Sequence, residues 1–157
     1  MRQVGVQIYK RFVGIEVPIG KRGQALGEIG GFGMKADAFR RAVDDRDLDA
    51  LIATLSPSIV LNSPVRAEPL HGRDAVRALF AVLFEVFDDL RFVGEYTADD
   101  GREALHFRWR LGGAEAEGMD LLRFGPSGLV EHYTVMVRPL AGVVALHETV
   151  FSRLAGE

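Results

Sequence analysis

At 157 residues, 48% of them hydrophobic and 26% charged, the chain has the length and makeup of one globular domain with a buried core, which excludes a two-domain enzyme and wholesale disorder. It contains no cysteine, so disulfides, thiolate metal sites, iron–sulfur clusters and a cysteine nucleophile are excluded. A formal net charge of −3 offers no basic excess to meet a phosphate backbone, and nucleic acid is not an expected partner.

That net charge averages two unlike parts. Residues 1–33 carry five Lys/Arg against two Glu and hold eight of the eighteen glycines, whereas the remainder carries fourteen Lys/Arg against twenty Asp/Glu. Lacking alternating or helical apolar spacing, residues 1–34 read as a Gly-rich, basic N-terminal extension outside the core, and residues 35–155 as the functional domain. No apolar run in the extension is long enough for a signal peptide or a membrane span, so the expectation is a cytoplasmic protein with no membrane partner.

From Ala36 onward Phe39, Ala42, Val43, Leu48, Leu51, Ile52 and Leu55 fall mainly at helical spacings, interrupted by Asp44-Asp45-Arg46-Asp47. This predicts two short helices with a polar hinge, the second capped by Asp47. Ser58 to Asn62 reads as a strand closed by Ser63-Pro64. Arg73 to Asp88 places Val76, Leu79, Phe80, Leu83, Phe84 and Phe87 at i, i+3, i+4 spacings and predicts the longest helix, its aromatic stripe assigned to core packing. Beyond Asp89 the period changes to two. Leu90–Thr97 is a strand, Ala98-Asp99-Asp100-Gly101 a hairpin turn, and Leu105, Phe107, Trp109 and Leu111 alternate with His106, Arg108 and Arg110 in the cleanest amphipathic strand. Gly112-Gly113 turns it into Ala114–Phe124, Gly125–Gly128 turns that into Leu129–Arg138, and Pro139 precedes a C-terminal helix through Leu154. The order predicts an α+β domain with helices packed on one face of a curved antiparallel sheet.

Three stretches carry a family likeness: Asp47–Leu51 running into Ser58–Leu61; Ser63-Pro64 through His71-Gly72 to Val76; and Met119–Phe124 followed by a glycine turn and Leu129-Val130-Glu131-His132-Tyr133. They resemble the SnoaL-like members of the nuclear transport factor 2-like superfamily, a cone-shaped fold shared by ketosteroid isomerases, limonene epoxide hydrolases and polyketide cyclases. The resemblance implies a cone with an internal apolar cavity, no cofactor, and pairing through the outer sheet. It also implies where reactive groups would stand. The proton-moving base of the isomerases falls at Ser63, their oxyanion tyrosine at Phe39, the cyclase acid/base at Val137 and the epoxide hydrolase arginine at Gly118. Asp120 alone keeps a carboxyl, in the place of the acid that donates to an oxyanion.

Asp120 is therefore the candidate catalytic residue, as acid or base, with Tyr133 orienting or donating. The structural alternative for each is an internal hydrogen bond within the core. Phe39, Leu61, Ser63, Trp109, Phe107, Leu122 and Val137 are the candidate wall of the cavity. The Trp109 indole N–H needs an acceptor, for which Asp120 is a candidate, although large apolar residues under helices also serve as plain core. On the opposite face His106, Arg108, His132 and Thr134 read as a homodimer contact or a solvated face, an anion site being disfavoured by neighbouring Glu103 and Glu131. His71 reads as a solvated loop residue or a gate at the cavity rim. No His-x-His or His-x-x-x-His spacing, nucleophile elbow, P-loop or supported dinucleotide fingerprint is present, so no metal is expected. Three functions follow: a binder of a small hydrophobic molecule, an isomerase, cyclase or hydrolase using Asp120, and a dimeric scaffold with a filled cone.

Overall fold

Residues 34–154 are described by a computed structural model. The basic extension expected at residues 1–34 falls outside them save for its last residue. Asp37–Asp44 forms α1, and its Phe39, Ala42 and Val43 make the buried face. The start of α1 is held from the sheet. The buried Glu103 carboxylate accepts hydrogen bonds from the backbone N–H groups of Lys35 and Ala36 at 2.9 and 2.7 Å, donors at a helix start that have no partner within the helix. After Arg46, whose φ is 53°, the Asp47 side chain accepts from the Ala50 N–H at 2.9 Å and caps α2, Leu48–Ala53.

Strand β1 runs Leu55–Asn62, starting earlier than the Ser58 read from sequence, and Leu55 belongs to it rather than to a helix. Pro57 obscures that start. The strand changes register between Leu55 and Val60, and such an irregularity is where a ladder tolerates a residue without an N–H. The two-residue β2, Leu70–His71, pairs antiparallel with β1 and was not anticipated. Then follow α3 (Gly72–Val86), β3 (Asp89–Thr97), β4 (Glu103–Leu111), β5 (Ala114–Phe124), β6 (Val130–Arg138) and α4 (Leu140–Leu154), each close to its expected bounds.

The strands form one sheet in the order β2-β1-β6-β5-β4-β3. β3 to β6 make the expected antiparallel meander, but β1 lies parallel to β6, so the sheet is mixed rather than antiparallel throughout. No hairpin joins those two strands, and their directions are set by the intervening chain. The strict alternation of β4 carries the two faces: Leu105, Phe107 and Trp109 are buried while Arg108 and Arg110 are exposed.

Two apolar clusters lie between sheet and helices. One gathers α1, α2 and α3 on the middle strands around Phe39, Leu55, Ile59, Phe80 and Leu122. The other joins Phe107, Trp109 and Leu111 to Leu146 and Val150 of α4. Leu79, Leu83, Leu90, Phe92 and Val135 pack against both and mark the seam between them. α4 reaches the sheet through Gly142, where a Cβ would stand 2.6 Å from the Ala116 Cβ, so only glycine permits this approach.

Candidate functional site

The seam between the clusters is not filled. A cavity of about 70 Å³ lies there, bounded by the sheet, by Leu79 and Leu83 of α3, by Leu146 and Val150 of α4, and by the Ser63–Val65 loop. Its side chains are almost all aliphatic or aromatic, and Asp120 is the one carboxyl among those described.

Asp120 reaches this place by strand period. Gly118, Asp120 and Leu122 share the inward face of β5, and Asp120 pairs opposite Leu105 and Val135. Tyr133 stands opposite Leu122, so its hydroxyl reaches Asp120 along the diagonal of the ladder, donating to Oδ1 at 2.9 Å. Both residues are buried. Removal from water pushes the Asp120 carboxyl up to about 7, against the smaller opposing effect of the Tyr133 hydrogen bond. The Tyr133 hydroxyl rises well above the ordinary tyrosine value, through burial first and then the neighbouring carboxylate. Its ring is fixed by Phe39, edge-on at 5.3 Å between centroids, and by Phe80, stacked at 6.2 Å.

Of the wall residues expected from sequence, Leu61, Ser63, Phe107, Trp109 and Val137 line the cavity with Asp120 and Tyr133. Phe39 and Leu122 do not. Both are almost wholly buried in the first cluster, Phe39 standing behind Tyr133. The hydroxyl of Ser63 accepts from the Val65 N–H at 3.3 Å and belongs to its own turn. Trp109 is not the donor to Asp120. It pairs with Ala116, nearer the far end of β5, and its ring lies 5.2 Å from that of Phe87. Sequence reasoning missed the helical walls. The i, i+4 pairs Leu79/Leu83 and Leu146/Val150 were visible as apolar positions, but nothing in their spacing separates a cavity wall from packed core.

His71 is exposed on β2 and does not line the cavity. Among the described residues no three His, Asp or Glu side chains gather as a metal site. On the outer face the acid within the basic stripe is Glu117, not Glu103, which faces inward to α1. Glu117 accepts from Arg138 at 2.6 Å and His106 at 3.2 Å, and these two hydrogen bonds, with the charges of Arg138 and of Arg108 at 3.6 Å, hold its carboxyl below the usual range. Asn62 donates to the Thr134 hydroxyl at 3.0 Å on the same face.

The family model described as SnoaL-like domain matches residues 36–135, the span that carries α1 through the Asp120–Tyr133 pair. The chain belongs to the SnoaL-like domain family. No curated protein matches this SnoaL-like domain significantly in sequence. Among solved structures it is similar to a steroid delta-isomerase from Pseudomonas aeruginosa, at 32% identity and a TM-score of 0.73, over 78% of this chain and 90% of the other. A bacterial protein with a cystatin-like fold from Silicibacter pomeroyi DSS-3 is 25% identical, with a TM-score of 0.73 over 80% and 88% of the two chains. SalBIII, an epoxide hydrolase/cyclase-like enzyme of pyran ring formation in salinomycin, shares the fold at 16% identity and a TM-score of 0.58, over 68% and 89%. No helix among the described residues is long and apolar enough to cross a membrane.

Proposed function

We infer that this SnoaL-like domain binds a small hydrophobic molecule bearing one polar oxygen, which Asp120 and Tyr133 orient. The observation that carries the reading is a single buried carboxyl lining an otherwise apolar cavity, with Tyr133 as its hydrogen-bond partner. Such a site gives greasy contact on most sides and one directional polar handle, the usual economy of small-molecule recognition. With its carboxyl near neutrality, Asp120 donates to a ligand oxygen when protonated and accepts from a ligand hydroxyl when ionised. The cavity itself speaks against a scaffold with a filled cone.

A second reading is proton transfer, with Asp120 as acid/base. It is favoured by the carboxyl's value of about 7, where a general base works best at neutral pH, and by the likeness to a steroid delta-isomerase. Against it stand Ser63, engaged by Val65, and Phe39, which has no hydroxyl. The proposal keeps the cytoplasmic setting read from the sequence. It also keeps a homodimer through the outer face, where His106, Arg108, His132 and Thr134 surround the exposed Met136 and Leu121.

Thermal-shift screening of cyclic ketones and alcohols, followed by Asp120→Asn, tests the binding reading. The amide keeps an acceptor for Tyr133, so the variant retains affinity within about tenfold. A wild type whose melting none of these compounds shifts would count against the assignment. A ketone whose turnover collapses in Asp120→Asn while its affinity persists establishes the second reading instead.

A further inference from the structure

The cavity is small for its class. Small-molecule pockets start at roughly 300 Å³, and one water needs roughly 10–15 Å³, so about 70 Å³ admits a ligand of only a handful of heavy atoms unless a wall moves. One lining ring is held in place by an unusually close contact. Phe107 on β4 pairs directly across from Gly118 on β5, one inward step from Asp120. The ring lies over the glycine: its Cζ and Cε2 stand 2.4 and 2.8 Å from where a Cβ at 118 would be. No other residue at 118 leaves this notch, because real Cβ contacts never approach so closely and the Met136 carbonyl closes the other side at 2.2 Å. Phe107 is itself 5% exposed and lines the cavity.

The geometry points to Phe107, seated in the Gly118 notch, as the residue that sets the ligand's upper size limit, so that this site takes one-ring molecules and rejects the fused-ring ones its fold can hold. The inference rests on the binding reading of the cavity and adds its ligand class: a compact, neutral, monocyclic ketone or alcohol. A ring fixed between two strands is expensive to displace. Overpacking a filled site forces strands and side chains apart, so a second fused ring is penalised while the first is not. Shortening residue 107 opens space directly beside Asp120, with the polar handle untouched.

Trp109 is the only tryptophan of the chain and lines the cavity, so its fluorescence reports occupancy. Titrations of the full-length protein with cyclohexanone, decalone and androstenedione read the size order directly. The wild type is expected to bind cyclohexanone at least about tenfold more tightly than decalone and not to register androstenedione. Phe107→Ala is expected to invert the first two, decalone gaining about tenfold or more, and Phe107→Leu to fall between. A merely structural role for Phe107 weakens all three ligands together and leaves their order unchanged. That result overturns the inference while sparing the binding reading, as does a wild type that already prefers decalone. If no ketone binds either protein, the binding reading falls and this one with it. Should Phe107→Ala not fold, Phe107→Leu carries the comparison, and a size order identical to the wild type's overturns the inference.

Discussion

Burial acts on Asp120 and Tyr133 in one direction, raising both, while the hydrogen bond between them lowers only the acid. A carboxyl that ionises less readily when folded makes the folded state the stronger binder of its proton. Its contribution is present in full below about pH 4 and is lost as pH rises to about 7, then stays flat. The gap between 3.8 and about 7 amounts to roughly 4 kcal/mol at most. Urea unfolding of the wild type and Asp120→Asn across this window should therefore show the variant gaining on the wild type as pH rises, and parallel curves would remove the buried-acid description. At this scale the sequence was most informative about Asp120 and Tyr133, because a two-residue period places a side chain on one face without further knowledge. It was least informative about Phe39 and Trp109. Whether a buried ring stands behind a hydroxyl or beside it depends on the packing of another element, which period does not encode.

Among the elements, α4 rests on the domain along one narrow stripe. Only Gly142, Leu146 and Val150 are buried along it, whereas Leu140, Val144 and Phe151 face outward. Gly142→Ala must push the helix off Ala116, at a cost of about 1–3 kcal/mol. The expected signature is a lower melting temperature with amide exchange quickened in α4 well before α1, and uniform exchange in both helices would contradict it. Helices α1 to α4 and the meander were legible from apolar period and turn residues, since those signals are local. Three features were not. The start of β1 is masked by Pro57, β2 is too short to leave a pattern, and the parallel pairing of β1 with β6 joins segments with no local signal between them.

For the whole molecule, the outer sheet face carries the pairing proposal. Its rungs run Tyr96, Ala104, Leu121, Thr134 and then His106, Met119, Met136, with Tyr96 56% and Met136 57% exposed. Below them Arg108 and Arg138 flank Glu117, so the face offers both signs of charge and apolar area to a second copy of itself. Met136→Glu is expected to weaken self-association by at least about tenfold in sedimentation equilibrium. A wild type that sediments as a monomer at high micromolar concentration would rule the pairing out.

The parallel contact between β1 and β6 also fixes an order of assembly. Asn62 and Thr134, which share a hydrogen bond, are 72 residues apart, and on its other side β1 has only the two-residue β2. On the ribosome, β1 therefore emerges long before its main neighbour exists, and the backbone groups on that edge stay unpaired until β6 follows. The slow, long-range closure of the sheet does not complete the cavity, whose walls also need Leu146 and Val150 of α4, made after β6. The hydrogen-bonded pair arises within the β5–β6 hairpin, and a nascent chain has no finished binding site until α4 supplies the final wall.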